Sequence, residues 1–112
     1  DGQDLITVVS VDATAAMIGN TIEVETLDGE DEVELAAGTQ PGAEARLKGK
    51  GLPRLGSSRR RGDHRFIFNV VIPGNLSEDQ KKLAADLDGS LTDENREPKG
   101  SGLFSRMRKA FG

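Results

Sequence analysis

Cysteine, tryptophan and tyrosine are all absent from this chain of 112 residues. Without cysteine there are no disulfides, thiolate metal sites or cysteine nucleophiles, and a reducing cytoplasmic location is compatible with the sequence. A single histidine, His64, cannot build a histidine-rich metal site. Apolar runs long enough to span a bilayer are also missing. We therefore expect a cytoplasmic protein without a metal or other cofactor.

A surplus of positive charge is missing as well, since the formal net charge is -4. Phosphate binding depends on surplus Lys and Arg, so we expect no nucleic acid as the main partner. Three consecutive arginines, Arg59, Arg60 and Arg61, leave anion or nucleic-acid binding open as an alternative. The chain begins with Asp1 instead of methionine, which we interpret as a fragment of a longer protein or a processed form.

Hydrophobic alternation dominates residues 1–75 and predicts a mainly β domain. Strands are expected at 5–11, 21–27, 30–35 and 64–73, with a type I′ hairpin turn at Asp28-Gly29 and a short helix over 13–18. We expect a small antiparallel, β-sandwich-like domain with one short internal helix and a C-terminal helix.

The character of the chain changes after residue 75. Ser77 is a good helix N-cap, and Leu83 and Leu87 form a narrow apolar stripe, which predicts a helix over 76–87. Residues 88–102 are polar and contain Gly and Pro, as expected for a flexible linker. Residues 103–112 predict a short amphipathic tail helix with an apolar face made of Leu103, Phe104, Met107, Ala110 and Phe111.

Enzymatic activity finds little support in the sequence. The stretch GKGLPRLGSS at 49–58 is similar to a phosphate-binding loop when it is read from Gly51. Such a loop has a lysine directly after its second glycine, but here Ser57 follows Gly56, so we interpret the stretch as a loop between strands. Asp63-His64 with a distant serine is no triad signal, because triads are defined by geometry. The glutamates of residues 21–35 alternate as on a solvent-facing sheet. We predict that the chain is not an enzyme.

Several short motifs occur in a recognisable order: IG at 18–19, LDG at 27–29, GTQPG at 38–42, RLKGKG at 46–51, GD at 62–63 and LSEDQK at 76–81. Over roughly residues 4–87 this order resembles the second C-terminal domain of bacterial DnaJ co-chaperones. Glu25 replaces a proline of the family pattern. The His-Pro-Asp tripeptide of the J-domain and the CxxCxGxG zinc repeats are absent, so the resemblance implies neither zinc binding nor stimulation of a DnaK-type chaperone by these residues alone.

The resemblance also implies a role in binding unfolded polypeptides. By similarity to the family's first C-terminal domain, clients would dock in a shallow apolar depression between the first two strands, near Val9 and Val24, with Phe66 or Phe68 close by. Such a surface suits extended segments, because main-chain contacts give affinity without reading sequence. The alternative that these four residues are simply core residues stays open.

A homodimer is the second implication, since the family carries its dimer contact at the end of the chain. The expected contact residues are the apolar residues of the helix and the tail: Leu83, Leu87, Leu103, Phe104, Met107 and Phe111. Leu83 and Leu87 packing on the domain's own sheet is one alternative, and a module that only dimerises is another. The basic residues opposite the tail's apolar face leave a weak membrane-surface helix as a further alternative, although we expect no membrane partner.

Overall fold

The computed structural model describes residues 3–54 and 57–96. Seven strands, two α-helices and one 3₁₀ helix follow one another along this part of the chain. In order, they are β1 (Leu5–Asp12), α1 (Ala13–Ile18), β2 (Asn20–Thr26), β3 (Gly29–Leu35), β4 (Glu44–Leu47), β5 (Pro53–Arg54), β6 (Ser57–Arg61), β7 (His64–Val71), α2 (Glu78–Ser90) and the 3₁₀ helix (Glu94–Arg96). The chain divides into one compact unit ending at Ile72 and a second beginning at Pro73.

A three-stranded sheet in the order β1-β7-β4 is the largest sheet. The prediction of a mainly β domain with few helices is confirmed, and the prediction that 64–73 holds a central strand is confirmed by β7. The sheet is mixed, however, because β4 pairs with β7 antiparallel and β1 pairs with β7 parallel. Two parallel strands must be joined by a long connection, and here the elements from α1 to β6 form it. The local alternation of apolar and polar residues does not indicate that β1 and β7 pair across this connection.

The hydrophobic core lies between this sheet and the β2–β3 hairpin. Phe66 and Leu35 are both 1% exposed and are its largest fully buried side chains. Both strands of the hairpin and both β1 and β7 contribute to the same cluster, whose buried members are Val11, Ala16, Val24, Val33, Leu35, Phe66 and Phe68. Two layers that share one core are the arrangement expected for a small sandwich-like domain.

The hairpin closes through Leu27 and Asp28, since Thr26 pairs with Gly29. Gly29 has a φ of 108°, while neither Leu27 nor Asp28 has a positive φ. The prediction of a type I′ turn at Asp28-Gly29 is therefore wrong, because that turn needs two consecutive residues with positive φ. The Thr26 hydroxyl organises the turn instead, donating to the Gly29 carbonyl at 2.8 Å and accepting from Asp28 N at 3.1 Å.

The loop around Gly49 and Gly51, which we call the glycine loop, crosses the backbone at Gln3 and at Gly62 at close range. Gly51 N donates to the Gly62 carbonyl at 2.9 Å, and Leu52 N donates to the Gln3 carbonyl at 2.9 Å. A Cβ on Gly51 would lie 2.6 Å from the Gln3 oxygen, and one on Gly62 would lie closer still to the same oxygen. These glycines allow backbones to approach, which supports the interpretation of GKGLPRLGSS as a structural loop.

The second unit begins with the predicted cap. Ser77 Oγ accepts a hydrogen bond from Gln80 N at 3.2 Å, and the Gln80 side chain accepts from Ser77 N at 2.8 Å, which completes a capping box. The helix continues past Leu87 to Ser90, and the 3₁₀ helix follows, so the first part of the segment expected to be a flexible linker is helical. Polar side chains satisfy this backbone, since Asn95 Oδ1 accepts from Thr92 N and Arg96 donates to the Leu91 carbonyl.

Candidate functional site

Strand β1 has two different faces. Leu5 N donates to the Asp63 carbonyl at 2.9 Å, and Leu5 to Asp12 pair in register with His64 to Val71. Val9 and Val11 point into the core with Phe68 and Val70. Successive side chains alternate between faces, so Ile6, Val8, Ser10 and Asp12 point to the opposite, outer face. We call Ile6, Val8, Ser10 and Asp12 the outer row of β1.

The outer row of β1 exposes large apolar side chains, with Ile6 at 56% and Val8 at 64%. Backbone groups also alternate along a strand, and Leu5 directs its N–H toward β7, so the outer-row residues direct their N–H and C=O groups away from β7. Within residues 3–54 and 57–96, β7 is the only strand paired with β1. β1 is thus an open edge with apolar side chains, a type of surface that monomeric proteins usually blunt.

The residues predicted to contact clients lie mostly inside the domain. Val24 is 7% exposed, Phe66 1% and Phe68 3%, and all three belong to the core. Val9 is half-buried and packs against the same core. Moreover, β1 and β2 are not neighbours in a sheet, so the expected depression between the first two strands corresponds to no pairing in the described chain. The core alternative fits their burial, and their contact with clients stays a prediction.

Sequence reasoning missed Ile6 and Val8. The stretch LITVVSV is apolar at neighbouring positions, so its alternation does not tell which residues point inwards. The pairing of Val8 with Ile67 and of Val9 with Phe68 decides it, because Phe68 is in the core. A parallel strand partner far along the chain is information that a local pattern does not contain.

Charged side chains occupy the β4 side of the outer sheet face and are paired with each other. The Glu44 carboxylate accepts from the Arg65 guanidinium at 2.7 Å, and this bond, with help from Arg46, holds the pKa of Glu44 below its usual range. Asp63 accepts from Gly49 N at 2.9 Å and from Arg46 at 3.1 Å, and these contacts lower its pKa in that order of importance. The charged side chains on the β4 side of the outer face are therefore paired with each other. The apolar part of the outer face is its β1 side.

Of the three arginines considered for anion binding, the structure describes the side chain of Arg61 only. Arg61 donates to the Asp28 carboxylate at 2.7 Å and to the Gly51 carbonyl at 3.0 Å. The bond from Arg61, joined by Lys50 at 3.5 Å, lowers the pKa of Asp28. Arg61 thus ties the hairpin turn to the glycine loop, and its charge is already matched by a carboxylate.

One hydroxyl–imidazole contact occurs near the site. Thr7 Oγ1 lies 2.7 Å from His64 Nε2, and the His64 ring stacks on Phe66 with centroids 4.1 Å apart. His64 Nδ1 is buried and has no hydrogen-bond partner in the described part of the chain. A nucleophile–base pair requires a third group that orients the base, so this contact is not assembled as a catalytic relay.

The helical leucines predicted for dimerisation are exposed on α2. Leu83 is 69% exposed and Leu87 43%, and α2 has no buried residue. They lie four positions apart and therefore share one face of the helix. The other predicted contacts, Leu103, Phe104, Met107 and Phe111, lie outside the described residues, as does the linker from residue 97 onward.

The described residues contain no group of three or more His, Cys, Asp or Glu side chains arranged to hold a metal ion. None of their helices has the length and apolar character that crossing a membrane requires.

Comparison with known proteins identifies the family. Residues 1–73 match the family model described as the DnaJ C terminal domain. Proteins named "Chaperone protein DnaJ" are 36% identical over 107 residues in Prochlorococcus marinus subsp. pastoris and 42% identical over 110 residues in Caldicellulosiruptor bescii. These matches cover 96% and 98% of this chain, and each covers 28% of the relative's length.

The family match agrees with the structure. The motif glycines take the positions that the fold needs: Gly29 ends the hairpin turn, Gly38 and Gly42 have positive φ, and Gly51 and Gly62 allow the backbone crossing. The matched segment also coincides with the first compact unit, which ends at Ile72. The chain belongs to the DnaJ C-terminal domain family.

Proposed function

We propose that this chain is a non-catalytic chaperone module that binds exposed apolar segments of unfolded polypeptides and dimerises a DnaJ co-chaperone. The observation that carries the first part is the exposure of Ile6 and Val8, at 56% and 64%, on an open strand edge. Relatives that share the family are named chaperones, which supports the same function. We expect this activity in the cytoplasm.

Capture would work by removing apolar surface from water on both partners. An unfolded chain exposes apolar side chains that would otherwise aggregate, and each fully buried side chain of this kind gains about 1.5–3 kcal/mol. Two exposed side chains on β1 offer a small surface, so the affinity of one module is modest. A second copy held in the same assembly raises the effective concentration for a client that touches both.

Dimerisation would use the face of α2 that carries Leu83 and Leu87, with the tail residues Leu103, Phe104, Met107 and Phe111 as further contacts. Two leucines exposed four positions apart suit an isologous contact, in which the same stripe from both copies meets across a two-fold axis. The exposed stripe on α2 supports this role.

One experiment with two readouts tests both parts. A guanidinium-unfolded model protein is diluted into buffer with the full chain, and its aggregation is followed by turbidity while the mass of the chain is measured by light scattering. We expect suppressed turbidity and the mass of a dimer. Leu83→Asp should give a monomer, because it places a charge in the apolar contact. Lys82→Asp, on another face of the same helix, is the matched control and should leave the dimer intact.

The other functional classes predict different results. A module that only dimerises would show the dimer mass and no effect on turbidity. A nucleic-acid binder would bind a labelled oligonucleotide with a steep dependence on salt concentration, and Arg60→Glu would abolish that binding. A chain that is monomeric and leaves turbidity unchanged contradicts the proposed function in both parts.

A further inference from the structure

The β2–β3 hairpin turn contains an aspartate followed directly by a glycine, a dipeptide prone to isomerisation. In this reaction the main-chain nitrogen of the glycine attacks the aspartate side chain, and glycine hinders the attack least because it has no Cβ. The dipeptide occurs at 1–2, 28–29 and 88–89. Within the described residues, Asp88-Gly89 lies inside α2, where the helical hydrogen bond holds the Gly89 nitrogen, and only Asp28-Gly29 lies in a turn.

The reaction depends on the protonation state of the Asp28 carboxyl group. Gly29 N attacks Cγ of the protonated carboxyl group, a C–N bond forms, the nitrogen loses its proton, and one C–O bond breaks as water leaves. The product is a five-membered succinimide ring, which a second water molecule opens. When the C–N bond to the main-chain carbonyl of Asp28 breaks, isoaspartate results, and the backbone runs through the former side chain. The ionised carboxylate is unreactive, because an oxide ion is not a leaving group.

The surroundings of the turn leave room for this chemistry. A Cβ built on Gly29 would meet no atom within 4 Å beyond its chain neighbours. The Asp28 side chain is 43% exposed, so the water that leaves and the water that opens the ring can both pass. Space and solvent therefore do not prevent the reaction, and protection has to come from bonds that Asp28 itself makes.

Three side chains restrain Asp28 in the folded chain. Arg61 donates to its carboxylate at 2.7 Å, and Lys50 Nζ lies 3.5 Å from the same oxygen. The hydrogen bond from Arg61 is the main cause that lowers the pKa of Asp28, and the charge of Lys50 acts in the same direction. The Thr26 hydroxyl accepts from Asp28 N and donates to the Gly29 carbonyl, so it holds the backbone on both sides of the reacting bond.

These contacts place an unreactive carboxylate in a reactive dipeptide. We propose that Asp28-Gly29 is a site of spontaneous isoaspartate formation, and that Arg61 and Lys50 slow the reaction by binding the carboxylate in its ionised form. Isoaspartate lengthens the backbone of the two-residue turn by one carbon and moves the carboxylate onto Cα. The modified turn therefore loses its contact with Arg61, and the hairpin is no longer tied to the glycine loop.

The test ages the full chain at neutral pH, below its unfolding temperature, and measures isoaspartate at residue 28. Endoproteinase Asp-N cleaves before aspartate but not before isoaspartate, so mass spectrometry of the digest gives the modified fraction. We expect Arg61→Gln to react about two- to fivefold faster than the unaltered chain, as loss of an exposed ion pair allows, and Lys50→Gln less than about twofold faster. Arg65→Gln, which removes an ion pair with Glu44, is the matched control and should leave the rate unchanged.

Two solution conditions separate the ion pairs from other causes. In concentrated urea the folded contacts are lost, so the unaltered chain and Arg61→Gln should react at the same rate. In about 1 M salt the rate of the folded, unaltered chain should approach that of Arg61→Gln, because screening weakens the ion pairs. Asp28→Glu retains a carboxylate but cannot close a five-membered ring, so it should form no isomer at residue 28.

Several outcomes would overturn the proposal. One is an equal rate in the unaltered chain, Arg61→Gln and Arg65→Gln, and another is a rate difference that persists in urea. Circular dichroism checks that each variant is folded, and if Arg61→Gln is not, the salt dependence of the unaltered chain and the rate of Lys50→Gln decide. No effect of salt or of Lys50→Gln would then contradict the role of the ion pairs.

The consequence for the fold is measured on the modified chain itself. Ion-exchange chromatography separates the isoaspartate form, which has an unchanged mass but a displaced carboxylate. We expect it to melt at a lower temperature than the unaged chain, since the turn has lost its bond to Arg61. An unchanged melting temperature would contradict the loss of this contact. Neither client aggregation nor the dimer mass enters these measurements, so their outcome is independent of the proposed function.

Discussion

The outer row of β1 and the outer face of the β2–β3 hairpin are built on strands of 8 and 7 residues, and their inner faces enter the same core. Their outer chemistry is opposite. β1 exposes Ile6 and Val8, whereas strands β2 and β3 expose an acidic face, and the one large apolar side chain exposed in the hairpin is Leu27 in its turn. The residues of the acidic face are Glu23, Glu25, Glu30, Glu32 and Glu34. The inner faces form the core that stabilises the domain. The side chains of the outer faces do not enter this core, so their polarity can differ between the two surfaces.

The two surfaces also differ in what they avoid. Within the hairpin, Glu23 lies opposite Glu32 and Glu25 lies opposite Glu30, so like charges face each other across the strands. Such pairs weaken a hairpin and keep it in solution, which blunts strand addition. β1 has no such protection at Ile6 and Val8. This contrast supports assigning capture to β1 and a solvated role to the hairpin.

The largest expected effect on stability is the difference between a substitution on the inner face of the β1-β7-β4 sheet and one on its outer face. Phe66→Ala should lower the free energy of unfolding by about 3–5 kcal/mol, since a side chain 1% exposed leaves a cavity. Val8→Lys should change it by no more than about 0.5 kcal/mol. Urea unfolding followed by circular dichroism measures both, and Phe66→Leu serves as a milder variant if the alanine variant does not fold. Equal losses would mean that Val8 is packed in solution, which contradicts the comparison.

Much of this architecture can be predicted from the sequence where a pattern is local. The hairpin follows from the alternation of Val24 and Val33 with glutamates, and the start of α2 follows from Ser77 and Gln80. In both, the interacting residues are close in sequence and leave a periodic or positional signature. The faces of the hairpin were therefore predictable, although Val24 was expected near the client-binding depression and is 7% exposed in the core.

What was not predictable depends on contacts far apart along the chain. The parallel pairing of β1 with β7 decides that Val9 points inwards and Val8 outwards, and a run of apolar residues contains no hint of it. Likewise, the need for glycine at Gly51 and Gly62 arises where three backbone segments cross. For the same reason the sequence pattern does not tell whether Val8 or Val9 is the exposed residue, since a shift of one position exchanges the two faces of a strand.

The acidic face of the hairpin provides the next prediction. Glu32→Lys should raise the free energy of unfolding by about 0.2–1 kcal/mol, because it replaces a like-charge pair with Glu23 by an opposite-charge pair. Glu32→Gln removes the repulsion without adding attraction and should give a smaller gain. The midpoint of urea unfolding measures both, and added salt should reduce the difference. Client capture should be unaffected, and a loss of capture in Glu32→Lys would contradict the solvated role of this face.

A substitution of Asp63 should have the smallest effect on stability. It extends the comparison, because the Asp63 carboxylate is paired with hydrogen-bond donors, whereas the glutamates of the hairpin face each other. Gly49 N and then Arg46 lower the pKa of Asp63 in the folded state, so its contribution to stability is complete above the unfolded pKa of about 3.9 and is lost as the pH falls through the lower folded pKa. Asp63→Asn should therefore lower the melting temperature at neutral pH and narrow its difference from the unaltered chain in acid. Circular dichroism melts between neutral pH and about pH 2 measure this. The hydrogen bond from Gly49 is not an ion pair, so most of the difference should persist in about 1 M salt, where charges beyond about 3 Å are screened. A difference that disappears in salt would assign the lowered pKa to Arg46 instead of to the backbone of the glycine loop.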